Sequence, residues 1–163
     1  VADLLVRLYD LPPLAPAVET LATAGVIVRR AAAAERTPVV DWMRTHGSAG
    51  WADECAAAFA RQPIACFVAV DVNDAGSGAR PLGVACHDAA FRNFFGPELV
   101  LPQERGRGIG RALLLAALHA MRADGYGYAI IGWASSTDFY RRTVGAVEIE
   151  GSTPGNYPAR FIK

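Results

Sequence analysis

Lysine is almost missing from this sequence. Lys163 is the only one, and the other 15 of the 16 basic residues are arginine. Positive charge is not in excess either, because 16 acidic residues bring the formal net charge to zero. That balance argues against a strongly basic nucleic-acid binder and against a polybasic membrane anchor. Cysteine is scarce. Cys55, Cys66 and Cys86 form no CxxC, and no pair lies at zinc-finger spacing. Three cysteines cannot all pair within one chain, which predicts free thiols and a reducing, cytoplasmic setting. No apolar run approaches the roughly 20 residues that span a bilayer. No secretory leader pattern and no internal repeat is visible.

What is present is a folding composition, with 52% hydrophobic and 20% charged residues in 163. That length suits a single domain over 1–163 with a sizeable core. Segment 1–24 reads as an N-terminal extension. Within it, Leu4 to Leu11 reads as a strand that extends a sheet or makes a dimer contact, and Ala17 to Ala24 as a short helix. Val26 to Ala31 is a β-branched strand. Two amphipathic helices follow, Glu35 to His46 and Trp51 to Arg61. Ile64 to Val72 and Pro81 to His87 read as an antiparallel hairpin around the Asn73 to Arg80 turn. Phe91 to Leu101 is a strand that Gly96-Pro97 must break with a bulge or an edge, since proline gives no ladder N–H. Arg107 to Asp124 is the strongest helix. Tyr128 to Trp133 is a buried strand. Ser136 to Arg142 is a short helix with Ser135 or Ser136 as N-cap. Ala146 to Glu150 and Ala159 to Ile162 are return strands. This order predicts a mixed α/β (α+β) domain and not a regular βαβ repeat.

The chemistry concentrates at Gln103-Glu-Arg-Gly-Arg-Gly-Ile-Gly-Arg, between a strand and the long helix. Gly106, Gly108 and Gly110 crowd one turn, so backbone N–H groups can converge on a ligand with no Cβ in the way. The helix adds its unpaired N-terminal amides and the positive end of its dipole. Arg105, Arg107 and Arg111 surround the turn. The pattern describes a pyrophosphate cradle. It is not a P-loop, because no lysine follows. It is not a dinucleotide fingerprint, because Arg111 or Leu113 falls where the last glycine belongs. The bland alternative is a glycine turn that only starts a helix.

Arg105-x-x-Gly108-x-Gly110 resembles the [Q/R]xxGx[G/A] signature of the GNAT superfamily, the acyl-CoA-dependent N-acyltransferases. Asp138-Phe139-Tyr140 through Gly145-Ala146 is similar to the family's FYxxxGF/GA segment. The likeness is good over 98–147 and holds in element order over roughly 25–163. It implies a GNAT-like fold, a central, mostly antiparallel sheet of six to seven strands flanked by helices. It implies acetyl-CoA as acyl donor, held by the backbone of Arg105, Gly106, Arg107, Gly108, Ile109, Gly110 and Arg111. The strand positions Glu98 and Val100 would offer backbone groups to the pantetheine arm. Tyr140 would protonate the departing thiolate, a task that suits a phenol still protonated at neutral pH. The acceptor would be a primary amine on a small molecule or a peptide, with no nucleic acid, membrane or metal involved. The likeness also allows a homodimer.

The general base is less clear from the residues. Phe94 and Gly96 occupy the expected positions and cannot act. Glu98 and His87 are the candidates, and a water relay is the alternative. His46 and His119 read as structural, and Cys86 as a buried thiol. Phe94 to Pro97 shapes either an acceptor pocket or the core. Trp42 and Trp51 lie on the helices that cover the acceptor in this family, or simply pack the core. The loop Ala134-Ser-Ser-Thr137 lacks the family's frequent asparagine. The rival reading is a non-catalytic CoA-binding sensor or regulatory module on the same fold.

Overall fold

The computed structural model describes residues 1–73 and 78–156. The strands are β1 (Leu4–Arg7), β2 (Val26–Arg30), β3 (Cys66–Asp71), β4 (Arg80–His87), β5 (Phe94–Val100), β6 (Tyr128–Ile131) and β7 (Val147–Glu148). The helices are α1 (Ala15–Thr23), α2 (Arg36–His46), α3 (Ala49–Phe59), α4 (Ile109–Ala123) and α5 (Thr137–Val144). Among the described residues the strands form one sheet in the order β2-β3-β4-β5-β6-β1-β7. All pairs are antiparallel except β5 with β6. No helix among the described residues is long and apolar enough to cross a membrane.

The apolar run of β3 makes it a central strand covered on both faces. Its residues divide with the period of two that a strand imposes. Phe67 and Ala69 join the core under α4. Cys66, Val68 and Val70 join the core under α2 and α3. The α4 stripe of Ile109, Leu113, Leu114, Ala117, Leu118 and Met121 is wholly buried. Gly83 on β4 lets that helix come close, since a Cβ there would stand 2.9 Å from Leu113 Cδ1 and 3.0 Å from the Leu99 carbonyl oxygen. Helix α3 begins at Ala49, two residues before the expected start, because the Ser48 Oγ accepts the Trp51 N–H at 3.1 Å.

The N-terminal strand extends the sheet from within. It stops at Arg7, and Leu8–Asp10 turns into a 3-10 helix. It pairs with β6 from Leu4↔Ile131 to Arg7↔Tyr128 and with β7 at Leu4↔Glu148 and Leu5↔Val147. Leu4, Val6 and Leu8 are fully buried, so the segment belongs to the core. The return strand shrinks to Val147–Glu148 beside it. The expected strand over Ala159 to Ile162 lies outside the described residues.

The bulge expected at Gly96-Pro97 is present. Ala85 faces Glu98 and His87 faces Phe95, so β5 carries one extra residue across that step. Gly96 takes a φ of 121°, which only glycine adopts freely.

Candidate active site

Strands β5 and β6 touch at only two positions, Phe94↔Ile130 and Phe95↔Ile131. Past them β6 ends, while β5 runs on to Val100. The gap is a cleft of about 200 Å³. Phe94 to Glu98 form one wall, Ile131 to Ser135 the other, and Tyr140, Trp51, Glu54 and Ala90 complete it. The Leu101 N–H bonds the Leu82 carbonyl. Alternation along the antiparallel ladder therefore turns the backbone groups of Glu98 and Val100 away from β4, toward the side where β6 has ended. This is an open strand edge inside a cleft.

Glu98 lies on β5, and Tyr140 lies on α5, 42 residues later. The Tyr140 hydroxyl donates to Glu98 Oε2 at 3.4 Å. Glu98 Oε1 is buried with no hydrogen-bond partner among the described residues. Burial penalises the charged carboxylate and pushes Glu98 up to about 8, with only the Tyr140 hydroxyl opposing the shift. Burial, followed by the facing Glu98 charge, pushes the Tyr140 phenol well above its ordinary value. The Tyr140 ring is wedged against Phe139 at 5.1 Å and Phe95 at 6.3 Å. Ser136 sits at the N-cap of α5, but its side chain makes no capping bond. Its carbonyl accepts the Phe139 N–H at 3.0 Å instead.

The glycine turn lies at the head of α4. Gly106 and Gly108 take φ values of 80° and 86°, and a Cβ on either would meet nothing within 4 Å. The Ala112 N–H makes the bond to the Gly108 carbonyl that opens the helix. The amides of Ile109, Gly110 and Arg111 lie ahead of it, and no side chain caps this end. Gly110 faces the cleft residues, since its Cβ would stand 3.6 Å from Glu98 Oε1 and 3.7 Å from Val100 Cγ2. Open amides, dipole and unfilled Cβ space fit a diphosphate. The arginines are not equivalent. Arg105 Nε donates to the Val100 carbonyl at 3.4 Å. Arg107 is held by Glu104, which Arg80 also holds at 3.0 Å. Arg111 is exposed on the first turn.

The structure separates the two base candidates. His87 does not reach Tyr140. Its Nδ1 is 2.9 Å from Asp88 Oδ2, and it lines a separate polar pocket with Arg61 and Arg92. His87 lies opposite Phe95 in the ladder, but its side chain turns to Asp88 and that second pocket. His119 Nε2 meets the Pro12 carbonyl at 2.8 Å, and His46 packs on Trp42 with ring centres 4.9 Å apart. Trp51 lines the cleft, whereas Trp42 lines an apolar pocket with Val39 and Val68.

Sequence reasoning missed Trp133, Glu54 and Asp3. Trp133 has a φ of 51°, unusual for a bulky residue. The buried Asp3 holds it in place, its Oδ1 accepting the Trp133 N–H at 3.0 Å. The Pro154 carbonyl accepts the indole N–H at 2.7 Å. No propensity puts tryptophan at positive φ, so no local signal marked it. Asp3 becomes visible only once β1 is known to lie inside the sheet.

The sequence profile of the Acetyltransferase (GNAT) family matches residues 36–146. No curated protein sequence matches the chain. Similar solved structures include the GCN5-related glucosamine N-acetyltransferase region of a fungal multi-domain GH3 β-N-acetylglucosaminidase. It is 17% identical, with a TM-score of 0.70, over 91% of this chain and 20% of that one. A GCN5-related N-acetyltransferase from Sphaerobacter thermophilus is 18% identical, with a TM-score of 0.63, over 91% and 48%. A Drosophila protein is 14% identical, with a TM-score of 0.62, over 91% and 47%. At these identities the likeness is one of fold. The chain spans between a fifth and a half of the length of these proteins.

Proposed function

The chain belongs to the acetyltransferase (GNAT) family, and from that premise we propose that it moves an acetyl group from acetyl-CoA to a primary amine in the β5–β6 cleft. The observation that carries this reading is the Glu98–Tyr140 pair, half-buried in a cleft beside an uncapped glycine turn. Acetyl-CoA supplies a thioester that an amine attacks directly, releasing a sulfur that needs a proton. The amides from Arg105 to Arg111 hold its diphosphate, and the backbone of Glu98 and the Val100 N–H, turned away from β4, line its pantetheine arm, while Arg105 occupies the Val100 carbonyl. The acceptor ammonium gives up two protons on its way to the amide. The Glu98 carboxylate accepts the one lost before attack, its raised pKa making it a stronger base than an ordinary carboxylate, and the one lost from the attacking nitrogen leaves to water. Tyr140 delivers a proton to the sulfur. The protonated Glu98 then returns a proton to the tyrosinate. That step runs downhill, because the phenol pKa lies above that of the carboxyl. One hydrogen bond thus resets the pair after each turnover. Trp51, Trp133, Phe94 and Glu54 face the acceptor.

This reading predicts a pH profile. Acetyl-CoA-dependent thiol release, measured with a weakly basic amine so that the acceptor does not titrate in the window, rises with pH through an apparent pKa near 8 and then levels off. The Glu98→Gln variant is slow and loses that limb. The same limb in Glu98→Gln would assign it to another group and remove Glu98 as base.

A further inference from the structure

All three cysteines of the chain meet at one point, on the face of the sheet opposite α4. Cys66 on β3 and Cys86 on β4 are directly opposed in the antiparallel ladder. The neighbouring His87 N–H bonds the Ala65 carbonyl. Cys66 and Cys86 are therefore the non-hydrogen-bonded pair, whose side chains approach more closely on one face. Cys55 comes down on them from α3. The three sulfurs lie within 4.8 Å of one another. Each residue is 0% exposed, and none forms a disulfide. The surrounding core, including Ala52, Val68, Val84 and Ala89, is apolar.

A buried thiol ordinarily packs as a small hydrophobe. Three thiols converging from three separate elements form a trigonal donor set for a soft, thiophilic centre. Charge selects which centre. Three thiolates around a divalent metal leave one net negative charge in an apolar core, and around monovalent copper they leave two. Burying an uncompensated charge is strongly unfavourable. Structural zinc also wants a fourth ligand, and the cluster contains no other His, Cys, Asp or Glu donor among the described residues. Trivalent arsenic bound by three thiolates is neutral and three-coordinate.

We propose that Cys55, Cys66 and Cys86 form a three-thiol binding site for trivalent arsenic. Arsenous acid loses its three hydroxyl groups, each leaving as water with one thiol proton, and three As–S bonds form. Arsenic stays trivalent, so neither oxidant nor reductant takes part. Access to the buried sulfurs requires local opening of α3, so binding is slow and follows that motion. Occupation ties α3 to β3 and β4. Cys55 adjoins Glu54 and lies one turn from Trp51, both of which line the cleft. On the acyltransfer reading, a bound arsenic therefore changes the acceptor KM. The site itself does not depend on that reading.

The test incubates the reduced full chain with sodium arsenite, and in parallel refolds it from urea in the same reagent. Native mass spectrometry and thiol titration follow. The expected result in both arms is one arsenic per chain with loss of all three titratable thiols, and loss of the adduct in Cys55→Ala and in Cys86→Ala. Circular dichroism of each variant checks that it is folded. No adduct in the refolded wild type, or an adduct retained unchanged in both folded variants, would overturn the site. So would retention of cadmium(II) by a protein that takes up no arsenite, since the charge argument would then be wrong.

Discussion

Tyr140→Phe lowers kcat by about 10²–10⁴-fold, the range for loss of a positioned general acid. It leaves acetyl-CoA affinity nearly unchanged. The phenyl ring keeps its packing against Phe139 and Phe95. What disappears is the hydroxyl that meets Glu98 Oε2. The proposed diphosphate contacts lie on α4 and its preceding turn, not on α5, so binding and chemistry separate in this variant. A fall in kcat at constant acetyl-CoA Kd is the signature of an interaction made only in the transition state. Steady-state thiol release and a calorimetric titration read the two quantities independently. An unchanged kcat would take Tyr140 out of the mechanism.

Glu98→Gln is expected to stabilise the protein at alkaline pH while it damages catalysis. The folded-state pKa of Glu98 is raised from 4.5 to about 8. Between those values the native state binds the proton that the unfolded chain has lost, so the wild type loses stability as pH rises from about 5 to 8. Each pKa unit corresponds to about 1.4 kcal/mol. The wild-type penalty at pH 9 is therefore on the order of 3–5 kcal/mol, and glutamine does not incur it. The variant gains roughly 10 °C or more in Tm over wild type at pH 9, and little at pH 5, where Glu98 is already neutral. Thermal unfolding of both proteins at the two pH values measures the difference. Equal shifts at both would show that the carboxyl does not titrate in a buried state. A gain in stability coupled to a loss of rate is what a group held against its solvation preference for function should give.

The strong elements were legible because their cause is local. The α4 stripe, the β3–β4 hairpin and the bulge at Gly96-Pro97 follow from spacing and from the missing proline N–H, and each is where the residues place it. The glycine turn was legible for the same reason, since positive φ at Gly106 and Gly108 has a direct sequence correlate. What escaped was long-range. Nothing in Leu4–Arg7 says that it will sit between β6 and β7, because a short apolar strand fits any vacant edge. The Glu98–Tyr140 contact depends on how α5 lies against β5, and the distance between them in sequence carries no trace of it. Glu98 stood in the sequence only as one candidate base beside His87 and a water relay. His87 read as a rival base, and only the structure places it in another pocket beside Asp88. The cysteine cluster needed the Cys66↔Cys86 register and the placement of α3 over it together.

The most direct test of the account is calorimetric titration of acetyl-CoA into the wild type and into Gly108→Glu. Gly108 has a left-handed φ, and its missing side chain leaves open space at the head of α4. A glutamate there strains the backbone, fills the cradle and sets a negative charge against the diphosphate. The account predicts one site in the wild type and an affinity at least about 100-fold weaker in the variant, a loss of about 2.7 kcal/mol. Absence of binding to folded wild-type protein, or equal affinity in folded Gly108→Glu, would contradict it.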